Sequence, residues 1–417
     1  MTSKAVYTKK AIQIIKRALR ITRVADAELP IESIERDNGL DALNGFVKFL
    51  QTEGFNLWRE TEALIPLQAG KQSYLLGPNG DHAFNADDFI DTKMSIDALA
   101  GDVLISLDKT TGMLAAPNIL VVDPTKSTQG WNAVDGLITA NASGLELTNV
   151  LQGYADLSLK TEVGVTYVLQ LDYIKGSDTG AEFEILDYDG AIVSATSTDS
   201  GKIRLEFSAR QKQTTLRFKN ATDDAGATNK ILDLNYIDKS QGDNIGVFLD
   251  DGSVHWTNII YLSPFEIAQP LPSDSKSGNT VYTYTDLIDR PTGINQVRYR
   301  DQLGFSDTPT TEWTRPQYFD QPDKFSKGTV TKWYYSPQLN DGRLYVWQPA
   351  SNNRALLPIT YIRPLYVTVE NADDVDFPSE WYDLLSFGVA SRLTAEYEVS
   401  DKVLISIETK YNELLYQ

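Results

Sequence analysis

Both ends of the chain carry apolar residues at helical spacing. Near the amino terminus two apolar stripes recur every three or four residues: Ala11, Ile14, Ile15, Ala18, Leu19 and Thr22, then Leu40, Leu43, Phe46, Val47 and Leu50. Two more stripes close the chain: Trp381, Leu384, Leu385, Gly388 and Leu393, then Val403, Ile407, Tyr411 and Leu414. Short helices alone are marginal in water. We therefore predict helices within residues 7–54 and 379–416 that pack into one bundle.

Between residues 116 and 240 the pattern changes to period two. Apolar side chains alternate with polar ones in at least six segments separated by Gly, Ser, Asn and Asp, for example Val165, Tyr167, Leu169, Leu171 and Tyr173. This alternation is typical of half-buried strands, and no helix-period segment interrupts it. The segment predicts an antiparallel β-sandwich of the jelly-roll kind.

The stretches on either side of this segment resemble two halves of a hairpin. Residues 104–107 and 245–249 both read as strands, and they would join through a turn if the middle were removed. Insertions are tolerated at such loop tips. The predicted fold class is α+β: a core of residues 1–115 and 241–417, helical with a mixed β region, into which the sandwich of residues 116–240 is inserted.

The remaining core sequence mixes aromatic strands with polar stretches. Residues 254–256, 333–335 and 344–347 read as aromatic strand segments, and Asn340-Asp341-Gly342 is a hairpin signal between the last two. Residues 266–280 and 301–328 are polar and rich in Pro, Ser, Asp and Gly. We expect long loops there.

Composition narrows the class of function. The 417 residues suggest two or three domains. The formal charge of −19 argues against a general nucleic-acid binder, which usually carries a basic stripe, and against a protein held on anionic lipid. No segment is apolar enough for a membrane span, and no signal-peptide core follows Lys9 and Lys10. We expect a soluble protein without a secretion signal of its own.

The chain offers little catalytic or metal-binding chemistry. It has no cysteine, which excludes disulfides, cysteine-zinc sites, iron–sulfur clusters and cysteine nucleophiles. With only His82 and His255, a multi-histidine metal site is not expected. Asp187-Tyr188-Asp189-Gly190 and Asp250-Asp251-Gly252 do not match a calcium loop, and hairpin turns favour the same residues. We predict no catalytic residue, no metal and no cofactor.

Aromatic residues of the sandwich are candidates for stacking on sugar rings. Trp131, Tyr154 and Tyr188 are the strongest of them, and Tyr173 and Tyr236 share the pattern. Alternating aromatic residues in strands more often belong to a hydrophobic core, so both interpretations stay open.

Six stretches of the core, taken in order, resemble the head-to-tail adaptor (head completion, tail accessory) proteins of short-tailed bacteriophages. They comprise Ala18-Leu19-Arg20 with Glu53-Gly54-Phe55-Asn56-Leu57-Trp58, Ala69-Gly70-Lys71-Gln72-Ser73-Tyr74-Leu75-Leu76-Gly77, Leu249-Asp250-Asp251-Gly252-Ser253-Val254-His255-Trp256-Thr257, Gly342-Arg343-Leu344-Tyr345-Val346-Trp347-Gln348-Pro349, Asp376-Phe377-Pro378-Ser379-Glu380-Trp381-Tyr382, and the closing helix pair. The inserted sandwich lies outside the resemblance.

The resemblance implies a structural virion protein and not an enzyme. Family members form a ring of twelve subunits below the capsid portal, at the head–tail junction, after assembly in the host cytoplasm. The ring continues the DNA exit channel and carries the tail nozzle and the tail fibres or spikes. The implied partners are copies of itself, the portal and these tail proteins. Genomic DNA would pass without specific binding, since an acidic wall repels phosphates; no membrane is involved.

Three further expectations follow. Trp381, Leu385 and Tyr411 are candidates for packing in the helical base or at a ring interface. The basic residues Lys9, Lys10, Lys16 and Arg17 are candidates for contacts with the portal or a neighbouring subunit, and a solvated helix face is the plain alternative. The alternative functions are a virion peptidoglycan hydrolase, for which no acid pair can be chosen, and a glycan-binding surface protein acting through the sandwich.

Overall fold

The computed structural model describes residues 9–24, 31–53, 59–119, 128, 130–141, 144–301, 306–368, 370 and 372–415. The chain forms two compact units, the first of residues 1–83 and 288–417 and the second of residues 84–287. In the described part, no helix is long and apolar enough to cross a membrane. The stretch 54–58, which contributes to the adaptor resemblance, lies outside the described residues.

The described residues form helices and strands with the following bounds. The helices are α1 (Ala11–Ile21), α2 (Ser33–Thr52), α3 (Arg315–Phe319), α4 (Tyr382–Leu393) and α5 (Asp401–Leu415). The strands are β1 (Glu60–Pro66), β2 (Ser73–Leu76), β3 (Phe84–Asn85), β4 (Ile90–Lys93), β5 (Trp131–Asn141), β6 (Gly144–Lys160), β7 (Thr166–Lys175), β8 (Ala181–Asp187), β9 (Gly190–Ser197), β10 (Gly201–Ser208), β11 (Gln213–Asn220), β12 (Thr228–Asp238), β13 (Asn244–Phe248), β14 (Val254–Leu262), β15 (Phe265–Ile267), β16 (Thr280–Tyr284), β17 (Gly293–Asp301), β18 (Ser306–Pro309), β19 (Thr311–Glu312), β20 (Lys332–Ser336), β21 (Gly342–Trp347) and β22 (Leu356–Ile362).

In the first unit, α1, α2, α4 and α5 contribute to one hydrophobic cluster. The helix α1 buries the residues of its predicted stripe, which recur at i, i+3, i+4, i+7 and i+8: Ala11, Ile14, Ile15, Ala18 and Leu19. From α2 and α4 come Leu43, Phe46, Val47, Leu50, Leu384, Leu385, Val389 and Leu393. The last helix buries only Val403 and Ile407, so most of α5 faces solvent in the single chain.

The first unit also contains two sheets that share a core. One has the order β18-β17-β22-β1 and the other the order β19-β20-β21-β2, and only the short β19–β20 pair is parallel. Side chains from both sheets meet between them: Ile65, Val297, Leu357 and Ile359 from the first, and Tyr74, Trp333, Leu344 and Val346 from the second. Because side chains alternate along a strand, the second sheet presents its other face away from this core.

The second unit contains the predicted antiparallel β-sandwich, built from β5 to β12. Its strands follow the order β10-β7-β12-β6-β11-β8-β9, and β5 pairs with β6. The 17-residue strand β6 joins both layers, since residues 145–148 pair with β12 and residues 154–160 pair with β11. The inward-facing residues are those of the alternating pattern, among them Tyr167, Leu169, Leu171, Tyr173, Phe183, Ile185, Leu216 and Phe218.

A smaller antiparallel sheet completes the second unit. Its order is β15-β14-β13-β16-β4, with Ile245, Val247, Ile259, Ile267 and Val281 in its core. The outward-facing Val168 of β7 and Ile237 of β12 pack against Ile260 and Ala268 of this sheet region. The sandwich and the small sheet therefore form one compact body.

The compact unit is larger than the predicted insertion and contains it. It spans residues 84–287, so the predicted sandwich of residues 116–240 lies within it together with the small sheet. The two ends of the sandwich are adjacent, because the backbone N–H of Asp243 donates to the carbonyl oxygen of Leu114 at 3.0 Å.

The predicted hairpin between residues 104–107 and 245–249 is wrong. The strand β13 pairs with β14 and β16, while Leu104 and Leu107 make only isolated bridges, to Glu266 and Met94. A tight turn places β14 next to β13, so the nearer strand takes the pairing.

The predicted loop at residues 301–328 is also wrong in part. It contains β18, β19 and α3. All four residues of β18 are exposed, so this strand has no apolar alternation to announce it.

Candidate functional site

One face of the sheet β19-β20-β21-β2 in the first unit is covered with aromatic rings. Tyr334 and Tyr345 are opposite each other on β20 and β21, with ring centroids 5.7 Å apart and an angle of 15° between the planes. Trp347 continues the same face two residues further along β21 and stacks on Trp313 at 5.4 Å. The alternation along these strands explains the arrangement, since Trp333 and Val346 point into the core instead.

The short helix α3 adds two rings to this face. Tyr318 lies 5.0 Å and Phe319 lies 5.5 Å from the ring of Tyr345. We call the set Trp313, Tyr318, Phe319, Tyr334, Tyr345 and Trp347 the aromatic face. Tyr318 is buried, Phe319 is 45% exposed, and the others are half-buried.

Two strongly exposed apolar side chains lie in the segments that adjoin the aromatic face. Phe325, after α3, is 82% exposed, and Leu339, between β20 and β21, is 92% exposed. The indole N–H of Trp347 donates to the carbonyl oxygen of Asp323 at 2.7 Å, which ties the segment carrying Phe325 to the face. Aromatic side chains are enriched in protein–protein interfaces, and large exposed apolar side chains in one region are typical of a surface that a partner covers.

The predicted basic contacts are largely used inside the chain. The ammonium of Lys9 and the guanidinium of Arg17 lie over the ring of Tyr382, at 4.6 and 4.8 Å from its centroid. Arg17 also pairs with Asp383 at 2.8 Å. Lys10 donates to the carbonyl oxygen of Ala372 at 2.8 Å. Lys16 is exposed and is the predicted cation best placed for an outside partner.

The three helical-base candidates lie at one hydrophobic cluster. Leu385 is buried in it, and Trp381 and Tyr411 pack against it half-buried. The ring of Tyr411 meets that of Phe46 edge-on at 5.7 Å. Their predicted part in a ring interface stays a prediction.

The three predicted sugar-stacking residues do not form one platform. Trp131 is only 8% exposed in the sandwich core, so its ring does not face solvent. Tyr154 is covered on one side by the guanidinium of Arg217 at 3.9 Å. Tyr188 is 75% exposed in the β8–β9 turn. Glu182 of β8 is level with Tyr154 across the sheet, and Tyr188 lies six residues beyond Glu182. The two tyrosines are therefore about 20 Å apart along the strand direction.

Tyr173 and Tyr236 are buried in the core of the sandwich.

The aspartates and the histidine that the sequence analysis considered as metal ligands make hydrogen bonds within the second unit. Asp187 accepts from the N–H of Asp189, and Asp251 accepts from the N–H and hydroxyl of Ser253, as in turns. The Nε2 of His255 lies 3.3 Å from the carbonyl oxygen of Gln269. Among the described residues, no group of three His, Asp or Glu side chains could hold a metal ion.

The solved structures named below each match between a quarter and about a third of this chain. No family model matches the sequence, and no curated protein matches it significantly. Among solved structures, a xylan-binding domain from Paenibacillus barcinonensis is 17% identical, covering 34% of this chain and 97% of that one, with a TM-score of 0.24. A family 35 carbohydrate-binding module from Clostridium thermocellum is 12% identical over 25% and 90%, with a TM-score of 0.21. The enzymatically active domain of a tailspike protein of bacteriophage CBA120 is 13% identical over 31% and 22%, with a TM-score of 0.23. These values are too low to indicate a shared function.

The sequence reasoning missed half of the aromatic face. Trp313, Tyr318 and Phe319 fall in the stretch interpreted as a polar loop. The sequence contains a signal for them, because this stretch carries these three large aromatic residues and Phe325 as well. A loop that is fully exposed to solvent is rarely so rich in aromatic side chains.

Proposed function

We propose that the protein is a structural subunit of a bacteriophage head-to-tail connector. Copies of the chain form a ring, twelve by the adaptor resemblance, between the capsid portal and the tail nozzle with its fibres or spikes. The ring continues the DNA exit channel in the virion, and the proposal assigns no catalytic residue and no cofactor.

The aromatic face is the observation that carries this proposal. It combines a cluster of four contacting rings (Tyr318, Phe319, Tyr334 and Tyr345) and the stacked pair Trp313–Trp347 with the exposed Phe325 and Leu339. All of them lie in the first unit, the part of the chain that bears most of the adaptor resemblance. Apolar and aromatic side chains of this kind stabilise assemblies by about 25 cal/mol per Å² of apolar surface buried. A neighbouring subunit is the partner we assign to it.

Charge determines when the ring forms. Each chain carries a formal charge of −19, so repulsion between subunits opposes assembly without a partner. Salt reduces this repulsion, with a screening length of about 10 Å at 0.1 M. The same acidic character allows DNA to pass without adhering.

The test is sedimentation of the full chain with and without purified portal protein, at low and high salt, followed by electron microscopy of the complexes. We expect monomers at low salt, rings on the portal, and partial self-assembly at high salt. The double variant Phe325→Ser/Leu339→Ser should remain folded and lose ring formation. The control Val163→Ser removes an apolar side chain that is 63% exposed in the sandwich, and it should assemble normally.

Absence of any portal complex under all conditions would contradict the connector function. Normal rings from the double variant would instead exclude the aromatic face and its neighbours as the interface. Stable rings at low salt without portal would show that the portal is not needed as a template.

A further inference from the structure

A polar cleft in the second unit lies on the outer face of the sandwich. Strands β10, β7 and β12 are adjacent there, and their outward side chains form rows across the sheet. One row is Lys202, Asp172 and Asp233, and the next is Arg204, Gln170 and Asn235. The turn between β14 and β15, with Tyr261, Ser263, Pro264 and Glu266, forms the opposite wall. The cleft encloses about 220 Å³.

One ion pair closes the cleft and fixes its shape. The guanidinium of Arg204 contacts the carboxylate of Glu266 at 2.7 and 3.1 Å, and Glu266 is almost fully buried. Burial works against the charge of Arg204, but the hydrogen bond and charge of Glu266 outweigh it and raise the pKa of the guanidinium. The guanidinium of Arg204 therefore stays charged, and its paired contact with Glu266 holds the wall of the cleft in place.

The other polar groups in the cleft have spare hydrogen-bonding capacity. Among the described residues, the side chains of Gln170, Asp172, Lys202 and Asn235 have no hydrogen-bond partner in the protein. The hydroxyl oxygen of Tyr261 is buried there and also lacks a partner. Buried polar atoms are nearly always hydrogen-bonded, so an unsatisfied hydroxyl beside four free polar side chains indicates a place for a polar ligand.

The chemistry of these groups selects the kind of ligand. Three carboxylates against two cations disfavour a nucleic acid or an anionic polymer. No metal-binding group is found in the described chain, which argues against a cation. The lining holds carboxylate acceptors, two side-chain amides that both donate and accept hydrogen bonds, one ammonium, and the hydroxyls of Tyr261 and Ser263. Together these groups match a ring bearing several hydroxyl groups. The space is below the 300 Å³ or so of the smallest drug-sized sites, and suits one sugar ring.

A second cavity beside the cleft suits a sugar polymer better than a single free sugar. On the other side of the Arg204–Glu266 pair lies a cavity of about 440 Å³, lined by more apolar residues including Val103, Leu104 and Pro270. A chain with one ring in the polar cleft can rest the next ring against this surface.

We propose that this cleft binds one hexose unit of a neutral polysaccharide, through Gln170, Asp172, Asn235 and the hydroxyl of Tyr261. The site lies in the second unit and does not depend on the connector function. It is also separate from Tyr154 and Tyr188, the residues that the sequence suggested for sugar stacking.

The experiment is calorimetric titration of the full chain with cellotriose, β-1,4-galactotriose, mannotriose and chitotriose, and with polygalacturonate as an anionic probe. At least one neutral trisaccharide should bind, and more tightly than its monosaccharide. Tyr261→Phe, which keeps the ring and removes only the hydroxyl, should weaken binding about tenfold, the effect of one hydrogen bond to a ligand. Gln170→Ala/Asn235→Ala should abolish binding.

The matched control is Thr196→Ala, at an exposed position on β9, which should bind as the unmodified chain does. The proposal is overturned if no neutral trisaccharide binds at millimolar concentration, if only polygalacturonate binds, or if Tyr154→Ala removes binding while Tyr261→Phe leaves it unchanged. Should the double variant fail to fold, the Tyr261→Phe result decides.

Discussion

His82 shows how burial sets the protonation of a single side chain. The pKa of His82 is lowered from 6.5 to about 4, chiefly by burial; the charge of Asp81 acts in the opposite direction, and the ammonium of Lys71 contributes to the lowering. Lys71 and Asp81 are themselves paired at 2.6 Å, so the histidine lies beside an ion pair that already has its charges matched. His82 is therefore neutral in the folded chain at neutral pH.

This shift predicts a loss of stability in mild acid. The unfolded chain binds a proton at His82 near pH 6.5 and the folded chain only near pH 4, so stability falls as the pH decreases between these values. At pH 5 we expect a loss on the order of 1–2 kcal/mol from this residue. Calorimetric melting at pH 7 and pH 5 should show a smaller acid shift for His82→Gln than for the unmodified chain. The control is His255→Gln; an equal shift in both variants would contradict the assignment.

Close helix contact in the first unit depends on a glycine. A Cβ added to Gly388 of α4 would lie 2.2 Å from the ring of Phe46 on α2, whereas one added to Gly45 of α2 would have its nearest neighbour at 3.6 Å. The first position therefore sets how closely the two helices approach, and the second does not.

The pair predicts opposite effects of the same substitution. Gly388→Ala should destabilise the first unit by about 2 kcal/mol, because overpacking outweighs the gain in helix propensity. Gly45→Ala should leave it unchanged or stabilise it by up to about 1 kcal/mol. Urea unfolding measures both. If Gly388→Ala is as stable as Gly45→Ala, the close α2–α4 contact does not exist in solution.

Elements with strong periodicity could be predicted, and weakly periodic ones could not. The apolar stripe of α1 and the apolar–polar alternation of β7 predict which face is buried, because they repeat with the period of a helix and of a strand, respectively. The strand β18 and the helix α3 are too short for any repeat to emerge. Periodicity also does not indicate which strands pair with each other. For this reason the predicted pairing of residues 104–107 with residues 245–249 is wrong.

The same limit explains what was missed at the candidate sites. Inward positions of the sandwich followed from alternation, yet the outward Gln170 and Asn235 carry no apolar signal, and their meeting depends on which strands are neighbours. Tyr334 and Tyr345 were recognisable as aromatic strand residues. That Trp313 and Tyr318 lie on the same face is visible only in the folded structure, where they contact Trp347 and Tyr345.

At the scale of the whole molecule, the sandwich is attached through adjacent ends. Replacing residues 116–240 by a short Gly/Ser linker should leave the first unit folded, since its core contains no residue of that segment. The small sheet should melt at lower temperature, because Ile260 and Ala268 lose their cover from Val168 and Ile237. Calorimetry of the shortened chain and of the isolated segment tests this. Loss of folding in the first unit would contradict it.

The hydrogen bond between Asp243 and Leu114 has a consequence for how such a protein changes between lineages. Because the two ends of the sandwich are one hydrogen bond apart, the segment between them can be gained or exchanged as one block. Such a recombination leaves the backbone on either side of the junction in place. In the connector that we propose, the sandwich could therefore vary without altering the first unit, to which we assign the contacts between subunits. The same junction is a suitable position for a fluorescent reporter with which to follow the ring assembly that we propose.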